Sequence, residues 1–302
     1  MSLVETEATE LGGEVEPFVG RWTDVRQRLL RNPSAIVGLV LIAVFVLVGI
    51  FAPLLAPYNP TDADLSIIRP GHYPGPSAEH LLGVDQLGRD VLSRIIYGAR
   101  SSLIIGVVAL GLGATFGLLL GALAGAFGGW VDGTTMRLVD MMLAIPGLLI
   151  AIGIAAAIGR SLTAVMIAIG VVNVPLFARL LRGSMLAQRE SDYVLAARAL
   201  GVKRGRIVLG HIVPNSIAPV IVAATLALAT AIIDAAGLAF LGLGSADPSV
   251  PEWGRMLAET QSLLQTAPHA AIFPGLAIVV SCLGFYLLGE GLREAIDPKF
   301  RR

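Results

Sequence analysis

The sequence is short of most of the groups that do chemistry. Its 302 residues include one cysteine, Cys282, so no disulfide forms within the chain and no cysteine cluster holds zinc. The four histidines, His72, His80, His211 and His269, are scattered, with no HExxH and no pair at helical spacing, which argues against a metal centre. Charged residues make up only 15%, and the 22 basic and 22 acidic side chains cancel, so no net positive field exists to attract nucleic acid. No GxxxxGK[ST] occurs, so any ATP that drives this chain is bound by another chain. No GxSxG and no pair of mid-helix aspartates suggests an intramembrane enzyme. The chain is expected to be non-catalytic and to carry no cofactor.

What is present is apolar. Hydrophobic residues make up 55% of the chain and its mean hydropathy is +0.77, which places it in the membrane class. A span needs about 20 apolar residues to cross a hydrocarbon layer of about 30 Å. Ala35 to Ala56 and Ser102 to Phe127 are free of charge. Met141 to Gly159 and Ser161 to Ala178 are separated by little more than Arg160. Ile217 to Ile233 and Ala270 to Gly289 complete six predicted helices. With the N-terminus inside, 16 of the 22 basic residues fall on inner segments, so both termini are predicted to be cytoplasmic. The first run is too long and begins too late for a secretory signal peptide.

The predicted organisation has four parts. Residues 1–20, rich in glutamate, read as a disordered acidic tail. Residues 21–99 hold the first helix and an irregular, Pro- and Gly-rich external loop from Tyr58 to about Glu79. Residues 100–290 form the main membrane-spanning body, and residues 291–302 a cytoplasmic tail. Gly113, Gly117, Gly121 and Gly125 recur every four residues on helix two, a groove that lets another helix backbone come close. That helix belongs either to this chain or to a partner. Two i,i+4 pairs, Asp85–Arg89 and Asp90–Arg94, suggest a short amphipathic elbow at the outer surface, or a contact for an external protein. On helix three Arg137 is placed to pair with Asp140, with Asp132 nearby. Asp234, near the outer end of helix five, is a candidate for the substrate pathway.

One inner segment stands apart. "SDYVLAARALGVKRGRIVLGHIVPN", Ser191 to Asn215, cannot span and carries Arg198, Lys203, Arg204 and Arg206. Ser191 or Asp192 can cap a first short helix, and Gly201 offers a turn with positive φ. A second helix resumes and Pro214 is expected to end it before helix five. Small Ala196 and Ala197 leave a low face. An ordinary polar loop is the plainer reading of the same residues.

This segment resembles the cytoplasmic loop of type I ABC importer permeases, whose pattern is EAA, three residues, Gly, nine residues, then IxLP. Ala196-Ala197, Gly201 and "HIVP" keep the spacing, with Leu195, His211 and Val213 departing from the usual Glu, Ile and Leu. "EHLLGVDQLGRDVLSRIIYGARSSL", Glu79 to Leu103, is similar to the signature of the C-type subunit in the dipeptide, oligopeptide and nickel branch. "RNPSAIVGLVL", "LAFLGLG", "PSVPEWGRML" and "GEGLREAIDPKF" resemble further elements of that branch. The resemblance runs from about Arg31 to the C-terminus. It implies an all-α, six-helix, MetI-like permease fold in the cell membrane. It also implies a second homologous permease subunit, two ATPase subunits and an extracytoplasmic substrate-binding protein as partners. It assigns ATPase coupling to the segment 191–214, including Ala196, Ala197, Gly201, Arg204, His211 and Pro214. Di- or oligopeptides are the implied substrates. The competing reading is an ion-coupled carrier working alone, but such carriers place ionisable residues near the membrane midplane, and the apolar runs here hold almost none.

Overall fold

The computed structural model describes residues 21–69 and 73–296. The predicted acidic tail of residues 1–20 and the last residues of the predicted C-terminal tail lie outside them. The described residues are mainly helical, and Val84 and Asp90 form an isolated antiparallel bridge in the loop before α4.

Asn32 caps the first span by accepting from the Ser34 and Ala35 N–H groups, with proline at the first helical position. In chain order the helices are α1 (Arg21–Leu29), α2 (Pro33–Ile50), α3 (Ala52–Leu55), α4 (Val91–Phe127), α5 (Gly129–Leu143) and α6 (Gly147–Ile158). They continue with α7 (Leu162–Arg189), α8 (Asp192–Ala199), α9 (Arg204–Ile207), α10 (Val213–Ser216), α11 (Ala218–Phe240), α12 (Trp253–Thr260) and α13 (His269–Ile296). Five of them, α2, α4, α7, α11 and α13, are long and apolar enough to cross a membrane. The pair α5 and α6, bent by 88° at its junction, makes a sixth crossing where the two are taken as one span.

That bend corrects the sequence reading, which ran one apolar stretch from Met141 to Gly159. The stretch is broken at Pro146, which fixes its own φ, has no N–H to donate and disfavours helix at the residue before it. A second difference lies at α4. It begins at Val91, well before Ser102, and its 37 residues exceed a bilayer's thickness, with Arg94 and Arg100 in the N-terminal part added to the predicted span. The boundary drawn at 99/100 therefore falls inside one continuous helix. The last helix likewise runs on through residues 291–296.

The core is the seam between α4 and α7. A Cβ added at Gly113 would meet the Gly170 carbonyl at 2.7 Å, at Gly117 the Val174 carbonyl and Phe177, and at Gly121 the Ala178 carbonyl. The four-residue glycine repeat thus serves packing within this chain. Only hydrogen at those positions lets the two backbones approach this closely.

Candidate functional site

The segment 191–216 follows α7 without a break in the chain. Asp192–Ala199 forms a helix because Tyr193, Leu195 and the alanines tolerate one and Gly201 ends it. Gly201 has φ +74°, the Gly201 N–H donates to the Arg198 carbonyl at 2.9 Å, and the Val202 N–H donates to the Ala197 carbonyl at 3.1 Å. These two bonds make a Schellman cap, and the residue it needs in the left-handed region is glycine. Nothing lies within 4 Å of a Cβ built at Gly201, so its role is conformational. At the other end Ser191 stands at the N-cap position, but its hydroxyl donates to the Gln188 carbonyl at 2.6 Å and accepts nothing from the helix.

The second half departs from expectation. Pro214 does not end the helix. Residues 204–216 are helical throughout, with a π turn over Val208–Ile212 just before the proline. A π turn widens the helix, which is how the chain carries a ring that would otherwise press on the carbonyl four residues back. Ile207, Val208 and Ile212 are buried with Phe177, Leu181 and Met185 of α7, so this half is rooted in the membrane body. Arg204 donates to the carbonyls of Ala126 and Phe127, at 2.6 and 3.1 Å, and so caps the C-terminal end of α4. The His211 ring meets the Tyr193 ring edge-on at 6.4 Å, joining the two halves.

The outward face is apolar. Leu200 is 83% exposed and Leu209 75%, with Leu195, Ala196 and Tyr193 exposed beside them and Ala197 half-buried. These leucines are left uncovered by their own chain. A hollow of about 410 Å³, lined by Arg189, Arg198, Val202, Arg204, Ile207, Val208 and Ile212, adjoins it.

The charges on α5 are arranged differently from the prediction. Asp140 pairs with Arg179, and Asp132 takes two bonds from Arg182 at 2.5 and 2.6 Å. Arg137 pairs with neither, because α7 lies against α5 and offers its arginines first. Gly147, just after the break between α5 and α6, lies beside Val172 of α7. That is about ten residues, roughly 15 Å, from the outer end of α7, near the middle of a 30 Å layer. Leu143, Ala144, Ile145 and Pro146 at the break are exposed. Asp234 on α11 is half-buried and has no ion pair or hydrogen bond among the described residues.

Around the start of α4, sequence spacing found half of what is there. Arg89 pairs with Asp85 at 2.7 Å as expected. Arg94 reaches back to the same Asp85 and not to Asp90, and Glu259 of α12 accepts from Arg89 at 2.7 Å, Arg94 at 3.1 Å and Arg255 at 2.8 Å. Asp90 instead caps α4 through the Ser93 N–H and meets His80 at 3.0 Å. Residues 85–89 form a turn, not an elbow helix, so i,i+4 arithmetic did not apply to Asp90 and Arg94. Burial works to raise the Glu259 carboxyl, but Arg94, Arg89 and Arg255 outweigh it and hold it below the usual range. Glu259 was missed in the sequence because its partners lie 165 and 170 residues away.

The described residues thus form an all-helical body with a helical segment rooted between α7 and α11. Two solved structures share the fold. An inward-facing methionine ABC transporter matches at TM-score 0.55 and 18% identity, over 68% of this chain and 97% of that one. An amino acid ABC transporter with histidines matches at TM-score 0.54 and 18% identity, over 67% and 94%. Residues 117–302 match the family model "Binding-protein-dependent transport system inner membrane component", and residues 20–74 match "N-terminal TM domain of oligopeptide transport permease C". The chain belongs to the binding-protein-dependent transport system inner membrane components. It is 47% identical to the dipeptide transport system permease protein DppC of Alkalihalophilus pseudofirmus, over 94% of this chain and 91% of the relative. It is 41% identical to the glutathione transport system permease protein GsiD of Pectobacterium atrosepticum, over 93% and 92%. It is a multi-pass membrane permease subunit and not itself the enzyme of the system.

Proposed function

We propose that this chain is one half of the translocation path of an ATP-driven importer for di- and oligopeptides. Both termini and the segment 191–214 lie in the cytoplasm. The segment docks an ATPase through Leu195, Ala196, Ala197, Leu200 and Leu209. Gly201, Arg204, His211 and Pro214 hold its two halves in shape. The single observation that carries this reading is the bare leucine face on a segment whose second half is anchored in the membrane body. A helix anchored in this way can pass a displacement of an ATPase to the spans, and a loose loop cannot. ATP selects a state of the importer only by binding one state better than another.

The broken span supports a second permease subunit. Irregular backbone at membrane depth is tolerated only where protein or a water-filled path covers it, and residues 143–146 have no such cover in this chain. Asp234 is placed on the path, where a peptide ammonium group would meet its carboxylate. An extracytoplasmic binding protein delivers the substrate to the outer face. Peptides are preferred over glutathione-like compounds because the dipeptide permease is the more similar of the two relatives.

The test is co-purification of the chain with its genomic neighbours in mild detergent, comparing the parent with Leu200→Asp. ATPase subunits are expected to come down with the parent and be lost with the variant while the permease body stays folded. If the parent binds no ATPase, the coupling assignment fails and the self-sufficient carrier becomes the reading to test. Uptake by the reconstituted importer, with labelled dipeptide and labelled glutathione in competition, decides the substrate.

A further inference from the structure

Glu252 begins α12, the external helix between spans 5 and 6, and is 2% exposed. Neither carboxylate oxygen has a partner of ordinary hydrogen-bond geometry. Its oxygen packs against Gly244, where an added Cβ would stand 2.9 Å from it and 3.0 Å from Ala239. The helix is seated hard. The Gly254 backbone rests on Ala236 of α11 with no room for a side chain between them. Trp253 donates to the Ile95 carbonyl at 3.0 Å and fills the space over Gly98. Glu259 closes the seat by holding Arg89 and Arg94.

A buried carboxylate without donors is costly, and it relieves the cost by keeping its proton. The charged groups around it do not supply a counter-ion. On its own helix Arg255 is spent on Glu259 and on the carbonyls of Ser245 and Asp247. Arg89 and Arg94, beside the start of α4, each bond both Asp85 and Glu259, and Arg94 keeps one buried amino group, Nη2, without a partner. Arg160, from the turn before α7, lines a neighbouring cavity of about 240 Å³ with Gly244 and Ser245. Asp247 is occupied by Ser249, and Asp234 lies deeper on α11. Burial pushes the Glu252 carboxyl up to about 7, against the weaker opposing pull of the Ser245 backbone and Arg255.

We propose that Glu252 is a proton-binding site on the outer face, and that its protonation keeps α12 seated between the outer ends of spans 2 and 5. Ionised, the side chain leaves its pocket for water and the helix loosens, together with the Glu259 clamp on Arg89 and Arg94. The seated state holds the extra proton, so seating is favoured in acid, weakens as pH rises from about 4.5 to about 7, and levels off above that. The physiological side of this switch rests on the outward placement proposed above, but the site itself does not.

Hydrogen exchange of amides 253–260 tests it, in the assembled complex in nanodiscs, at pH 5 and pH 7. Each parent value is divided by that of Glu252→Gln at the same pH, which cancels the intrinsic pH dependence of exchange. The ratio is expected to rise about tenfold or more from pH 5 to pH 7. Gly244→Ala, which crowds the carboxylate pocket, should open the helix at both pH values. A parent-to-variant ratio that stays constant with pH, or a Gly244→Ala helix as protected as the parent's at pH 5, overturns the proposal. Because the readout needs no substrate or nucleotide, it fails or succeeds separately from the importer assignment.

Discussion

The segment 191–216 and the layer of residues 79–95 and 245–268, at opposite ends of α4, are built on opposite principles. Both read in the sequence as polar stretches that carry arginine. In the segment the arginines are exposed or on helix ends and the leucines are bare, Leu200 at 83% and Leu209 at 75%. In the layer Arg94 at 1% and Arg89 at 4% are buried and tied to shared carboxylates. The lesson concerns self-sufficiency. The layer of residues 79–95 and 245–268 pairs its arginines within the chain and leaves only Glu252 without a counter-ion, whereas the segment 191–216 leaves apolar surface that its own chain does not cover.

The strongest way to break that contrast is Asp85→Ala. It removes one of the two carboxylates that Arg89 and Arg94 share and leaves two buried cations on Glu259 alone, a loss of about 3–5 kcal/mol. Thermal unfolding in detergent should fall sharply, and adding Arg94→Met should recover part of the loss. Gly117→Leu probes the seam that both regions depend on. Its side chain would enter the Val174 carbonyl and Phe177, a loss of about 1–3 kcal/mol or more in the same melt. Gly111→Ala on the same helix meets nothing within 4 Å and should be silent.

Gly201→Val acts on the segment 191–216 alone. The left-handed turn would cost a β-branched residue about 1–2 kcal/mol, with no clash to add. The melt should barely move, while ATPase co-purification falls. Leu200→Asp should shift stability least, within about 0.5 kcal/mol, because the side chain touches little of its own chain. A large stability loss there would mean that the leucine face belongs to this chain's own core, and the contrast would collapse.

Much of this was legible in the chain itself. Apolar runs set the six crossings, because only a helix satisfies its own backbone in hydrocarbon. Gly201 announced its turn, since few residues take positive φ cheaply, and the spacing from Ala196-Ala197 to Pro214 announced the family resemblance. The glycine repeat on α4 announced a close helix, although not whose. Local rules failed where partners came from elsewhere in the chain. Asp90–Arg94 and Arg137–Asp140 were drawn at helical spacing, yet Arg94 took Asp85 and Glu259, and Asp140 took Arg179. Nor did the sequence reveal that Pro146 breaks a span by 88° while Pro214 is absorbed in a π turn. A proline removes the same hydrogen bond in both places, and the neighbours decide whether the helix bends or widens. What the sequence by itself determined is what a residue does to its own backbone and to the membrane: crossings, caps and turns. Tertiary structure alone decided which buried charge meets which, and left Glu252 with none, because those choices are made across distances that no local pattern encodes.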